Sequence, residues 1–88
     1  MMLYIVGYFE LGEMSALDSL IHSFTTYLRR QKDLGYHKEL YLNLLRYLRQ
    51  LMELPPGDKQ LVKNLQQQVL DTELVADKEW LLSKIRER

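Results

Sequence analysis

Leu3-Tyr4-Ile5-Val6-Gly7-Tyr8-Phe9-Glu10-Leu11 is the stretch on which the fold class turns. Seven of its nine residues, Leu3, Tyr4, Ile5, Val6, Tyr8, Phe9 and Leu11, are large and apolar. It would be apolar all round as a helix and would serve equally as a buried strand, so periodicity does not separate the two. The rest of the chain does. No second run of strand character exists to pair with it, and an unpaired strand leaves its backbone N–H and C=O groups unsatisfied. Residues 3–11 are therefore predicted to be helical, and the chain all-α.

Downstream, Met14, Leu17, Leu20, Ile21, Phe24, Tyr27 and Leu28 fall within an arc of about 140° at 100° per residue, which predicts an amphipathic helix over 13–33. Arg29, Arg30 and Lys32 suit its last turn, where cations meet free carbonyls, and Gly35 suits a left-handed residue just beyond. A helix over 36–53 carries Leu40, Tyr41, Leu44, Leu45, Tyr47, Leu48, Leu51 and Met52 over about half its circumference. A face that broad touches neighbours on two sides, which makes this the central helix. Its polar sector, from Glu39 to Glu53, also holds Leu42.

Leu54-Pro55-Pro56-Gly57-Asp58 ends that helix, because proline lacks the N–H and forces the preceding residue out of helical geometry. Asp58 is the expected N-cap of a helix over 58–71, in which only Leu61, Val62, Leu65 and Val69 share an arc, of about 100°. Residues 72–77 break the pattern. A last short helix over 77–87 turns Leu81, Leu82 and Ile85 inward and Trp80 away from them. Ile21, Phe24, Leu44, Leu48 and Leu65 are the predicted core. The architecture expected is four to five helices in antiparallel hairpins, helical-repeat-like or a small bundle, in one domain over 1–88.

Composition fits such a domain. At 88 residues, with 47% hydrophobic and 27% charged residues and only 4 Gly and 2 Pro, the chain has the make-up of a packed globule, burying roughly 64% of its unfolded surface. The absence of cysteine excludes disulfides, thiolate metal sites and cysteine nucleophiles, which suits a cytoplasmic protein. The apolar opening lacks a basic n-region, a small-residue cleavage pattern and the ~20 apolar residues of a membrane span, so a soluble, unprocessed chain is expected. Lys and Arg number 12 against 12 Asp and Glu. The charge is unevenly spread: net −3 over 1–28, +4 over 29–50 and −1 over the remainder.

Tyr8-Phe9-Glu10-Leu11-Gly12-Glu13-Met14-Ser15-Ala16-Leu17, followed by Ile21 and Phe24, resembles the turn between the two helices of a tetratricopeptide repeat. That family uses an aromatic pair, a Leu-Gly closing the first helix, an acidic residue, and small or apolar residues packing back from the second. The resemblance covers 8–24, about 17 of 88 residues. The sequence departs from it at Leu17, where the family prefers Ala, and at Arg29, near its usual terminal Pro. Residues 36–88, with the Pro-Pro-Gly-Asp turn and Glu79-Trp80-Leu81-Leu82, are similar to the tail of large uncharacterised bacterial helical proteins. The resemblance implies the end of a helical solenoid: the C-terminal part of a longer protein, or a short product in which a partner replaces the missing helices. It implies no activity.

Chemistry-bearing motifs are scarce. His22 and His37 lack a ligand at metal-binding spacing; Asp18 and His22, four apart, fall outside the apolar arc and read as a solvated pair. His37, beside a helix start, reads as a capping or exposed residue. None of Ser15, Ser19, Ser23 and Ser83 sits in a nucleophile elbow, Gly7, Gly12, Gly35 and Gly57 form no phosphate loop, and Glu10 and Glu13 flank a turn where both are solvated. No catalytic residue, cofactor or metal is expected. Arg29, Arg30, Lys32, Arg46 and Arg49, with tyrosines interleaved, raise nucleic-acid binding as the alternative function. Against it, Tyr27, Tyr41 and Tyr47 lie on apolar arcs as core residues, Arg46 and Arg49 belong to a solvated face, and the net charge is zero. The leading expectation is a non-catalytic protein-interaction or scaffold module. Its partner would be another protein or, most simply, a second copy in a homodimer, through Leu3, Tyr4, Ile5 and Tyr8 with Trp80.

Overall fold

The opening stretch is helical as far as Glu10, with Leu11 in the turn that follows. In a computed structural model, which describes residues 2–88, the elements are α1 (Met2–Glu10), α2 (Met14–Arg30), α3 (Tyr36–Met52), α4 (Lys59–Asp71) and α5 (Lys78–Arg86), with no strand among the described residues. The protein is an all-α small bundle. Among the described residues no helix is long and apolar enough to cross a membrane.

The α1–α2 turn is a Schellman closure. Glu13 N–H donates to Tyr8 O at 2.9 Å and Gly12 N–H to Phe9 O at 3.2 Å, with Gly12 left-handed at φ 73°. A residue with a Cβ is disfavoured there, which is why the Leu-Gly pair ends the helix.

α2 stops three residues short of the expected end. Gln31 is already extended, at φ −83° and ψ 130°, and Lys38 Nζ, from the next helix, donates to the carbonyls of Arg29 at 3.3 Å and Gln31 at 3.0 Å. Gly35 does not close α2. At φ 56° and ψ −135°, a conformation open to glycine, it serves as the N-cap of α3. Asp58 caps α4 as expected, accepting from Leu61 N–H at 3.1 Å.

α3 is central, packing against α2, α4 and α5, while α1 lies along α2. The buried residues form one cluster, in which Ile21, Phe24, Leu44, Leu48 and Leu65 all take part. Along α2 the buried strip is narrower than the apolar arc. Leu17, Ile21, Phe24 and Leu28 are buried, whereas Met14 and Tyr27, at the two ends of that arc, are 40% and 54% exposed. Tyr27 is therefore not a core residue, although its ring remains 6.4 Å from that of Phe24. Leu42, which falls in the polar sector of α3, packs on the core beside α2.

The 72–77 break is more than a spacer. Val75 and Ala76 are buried, Ala76 N–H donates to Leu40 O at 3.1 Å, and Asn43 Nδ2 donates to Leu74 O at 2.8 Å, so the connection is stitched to α3. The bundle is flattened, with extents of 40 × 28 × 17 Å. Leu3, Tyr4 and Leu11 are exposed, so one side of α1 has no layer above it.

Candidate interaction surface

At 100° per residue Met2, Ile5, Val6 and Phe9 share one arc of about 100° on α1, and Leu3, Tyr4, Gly7, Tyr8 and Leu11 share the opposite arc of about 140°. The first arc faces the bundle: Ile5 is fully buried, and Met2 and Phe9 pack against the core. The second faces outward. Leu3 is 83%, Tyr4 64% and Leu11 76% exposed. Leu11 stays in helical register, its N–H donating to Gly7 O at 3.0 Å. Tyr8, at the edge of this arc, is half-buried and packs against the core, with its ring 6.5 Å from that of Tyr4.

Of the residues expected at this surface, Ile5 belongs to the core and Trp80 stands beside Leu3 at its edge. Ile5 lies on the opposite side of the helix from Leu3 and Tyr4 and is a core residue. Trp80 does not stand free: it is half-buried, its ring edge-on to Phe9 at 5.6 Å and 78°. Its indole Nε1 is buried without a hydrogen-bond partner. With Met2, Leu3, Val6 and Asp77, Trp80 lines a mostly apolar cavity of about 290 Å³ between α1 and the start of α5. Leu11 was absent from the expected set, although its apolar character at the helix end was visible in the sequence.

An ion pair fastens this helix to α5. Lys84 Nζ pairs with the Glu10 carboxylate across the two elements and with Glu87 Oε2 at 3.2 Å. The hydrogen bond to Glu10 raises the Lys84 pKa above its ordinary 10.5, against a smaller opposing effect of desolvation. Glu10 therefore serves as an anchor for α5.

The basic residues separate into two groups. Arg29, Arg46 and Arg49 line a groove of about 380 Å³ between α2 and α3, with Thr25 and Asn43 beside them; Arg30 and Lys32 are exposed outside it. Arg49 pairs with Asp18 at 3.4 Å and Arg46 lies 4.8 Å from the centre of the Tyr47 ring. Asp18 thus faces Arg49, and His22 is exposed. Tyr47 is buried and Tyr41 half-buried, so neither presents a free stacking face. His37 is exposed and stacks on Tyr36 at 4.3 Å. Among the described residues no three His, Asp or Glu side chains converge on a common point.

Compared with known protein families, with curated proteins and with solved structures, the chain matches none.

Proposed function

We propose that the protein is a non-catalytic protein–protein interaction module whose docking face is the outer side of α1. One observation carries this reading: Leu3, Tyr4 and Leu11 are 83%, 64% and 76% exposed on one side of a helix whose other side is anchored in the core. Contiguous exposed apolar surface of this kind marks an interface. A second copy of the chain is the simplest partner, since an identical face is always present at matching concentration.

The test is mass by light scattering across a concentration series. Wild type should rise from 10.6 kDa toward twice that value by high micromolar concentration. Tyr4→Glu, which places a charge in the face without touching the core, should stay at the monomer mass with an unchanged far-ultraviolet spectrum. A wild-type chain that remains monomeric, folded and dispersed throughout the series overturns self-association through this face.

A further inference from the structure

We infer that two copies of the chain dock by crossing their α1 helices at Gly7, close enough that a single methyl group at this position disturbs the contact. The inference rests on the reading of α1 as the docking face and specifies how that face is used.

Each of the other three glycines has a backbone reason to be glycine: Gly12, Gly35 and Gly57 all have positive φ, at 73°, 56° and 79°. Gly7 has none. It lies inside α1, where glycine is among the least favourable residues, and a Cβ built on it meets nothing within 4 Å. Packing within the chain therefore does not require its absent side chain.

Its place on the surface supplies a requirement from outside. Gly7 lies near the middle of the outward arc, one turn from Leu3 on one side and one turn from Leu11 on the other, beside the Tyr4–Tyr8 pair. The result is a notch between apolar ridges, where a second backbone can approach closely.

Symmetry and charge favour a second copy as the occupant. Leu3 and Leu11 are each four residues from Gly7, so an antiparallel crossing about a two-fold axis at Gly7 sets Leu3 of each copy against Leu11 of the other. None of Leu3, Tyr4, Gly7, Tyr8 and Leu11 is charged, and Glu10, the acidic residue of α1, is held by Lys84. The centres of two identical faces therefore meet without like-charge repulsion, while Glu13 and Asp77 lie at their ends. The exposed parts of these side chains offer on the order of 400–500 Å² per copy, given 150–250 Å² for a whole aromatic residue. Doubled, this is at most about 800–1,000 Å², below the roughly 1,200–2,000 Å² of stable interfaces and in the range of a weak, concentration-dependent dimer.

Gly7→Ala separates association from folding. In sedimentation equilibrium its dimer should dissociate with a constant about tenfold weaker than wild type, since a methyl is forced into a close contact. In dilute solution, where the chain is monomeric, its melting temperature should rise by about 4 °C, because alanine replaces glycine inside a helix with room for the methyl. Tyr4→Glu is measured in parallel. A Gly7→Ala dimer as tight as wild type, with Tyr4→Glu monomeric, overturns the crossing at Gly7 and leaves α1 as the docking face. A monomeric wild type overturns both. A fall in the dilute melting temperature of Gly7→Ala overturns the inference, because glycine is then needed within the chain. Masses rising past the dimer overturn the two-fold arrangement.

Discussion

Tyr47 illustrates how one polar atom is accommodated in an otherwise apolar core. Its side chain is buried, and its hydroxyl accepts from Arg46 Nη2 at 3.1 Å. The hydroxyl also lies 2.6 Å from Thr72 Oγ1, whose own proton goes to Gln68 O at 2.7 Å. That order makes Tyr47 the donor to Thr72, so the three bonds run in one direction from α3 to the end of α4. Chains of this kind polarise each bond in turn. Tyr47→Phe keeps the ring and removes the link. It should lower stability by about 1 kcal/mol, read as a shift in the urea midpoint with an unchanged slope. The periodicity of α3 identified Tyr47 as a core residue. Its partner was hidden, because Thr72 lies 25 residues away in a segment whose only local signal is that it is not a helix.

At the scale of elements, α1 and α5 are joined by side chains, with Phe9 against Trp80 and Lys84 against Glu10. The ion pair gives this junction a pH dependence of definite sign. Because the folded pKa of Lys84 lies above its ordinary 10.5, its contribution is fully present below about pH 10 and is lost as pH rises through the folded value. The urea midpoints of wild type and Lys84→Met should therefore differ by a constant amount from neutral pH to about pH 9.5, and the difference should close in the strongly alkaline range. A difference that persists unchanged at the alkaline end means that packing of the Lys84 stem, not its charge, joins the two helices.

For the whole molecule, stability is concentrated in α3. Leu48 is fully buried where α3 meets its neighbours. Leu48→Ala should cost about 2–5 kcal/mol, a large share of the roughly 5–10 kcal/mol available to a domain of this size, measured by chemical denaturation. The small number of helices explains why the outer side of α1 is available at all: α3 is covered by α2, α4 and α5, α1 packs on α2, and among the described residues no sixth helix is left to cover it.

The sequence alone determined the number and approximate places of the helices and which one is central; the end of α2 and the role of Gly35 it did not. The features it determined rest on local physics: the spacing of apolar residues, the missing N–H of Pro55 and Pro56, and the carboxylate of Asp58. Only the tertiary structure decided which side of α1 turns inward, because a helix apolar all round has no internal direction, and contact with α2 is what separates Ile5 from Leu3 and Tyr4. The burial of Val75 and Ala76, the docking of Trp80 on Phe9, and the gathering of Arg29, Arg46 and Arg49 in one groove were likewise tertiary outcomes. Each joins residues distant in the chain, and what they meet is set by how the helices pack.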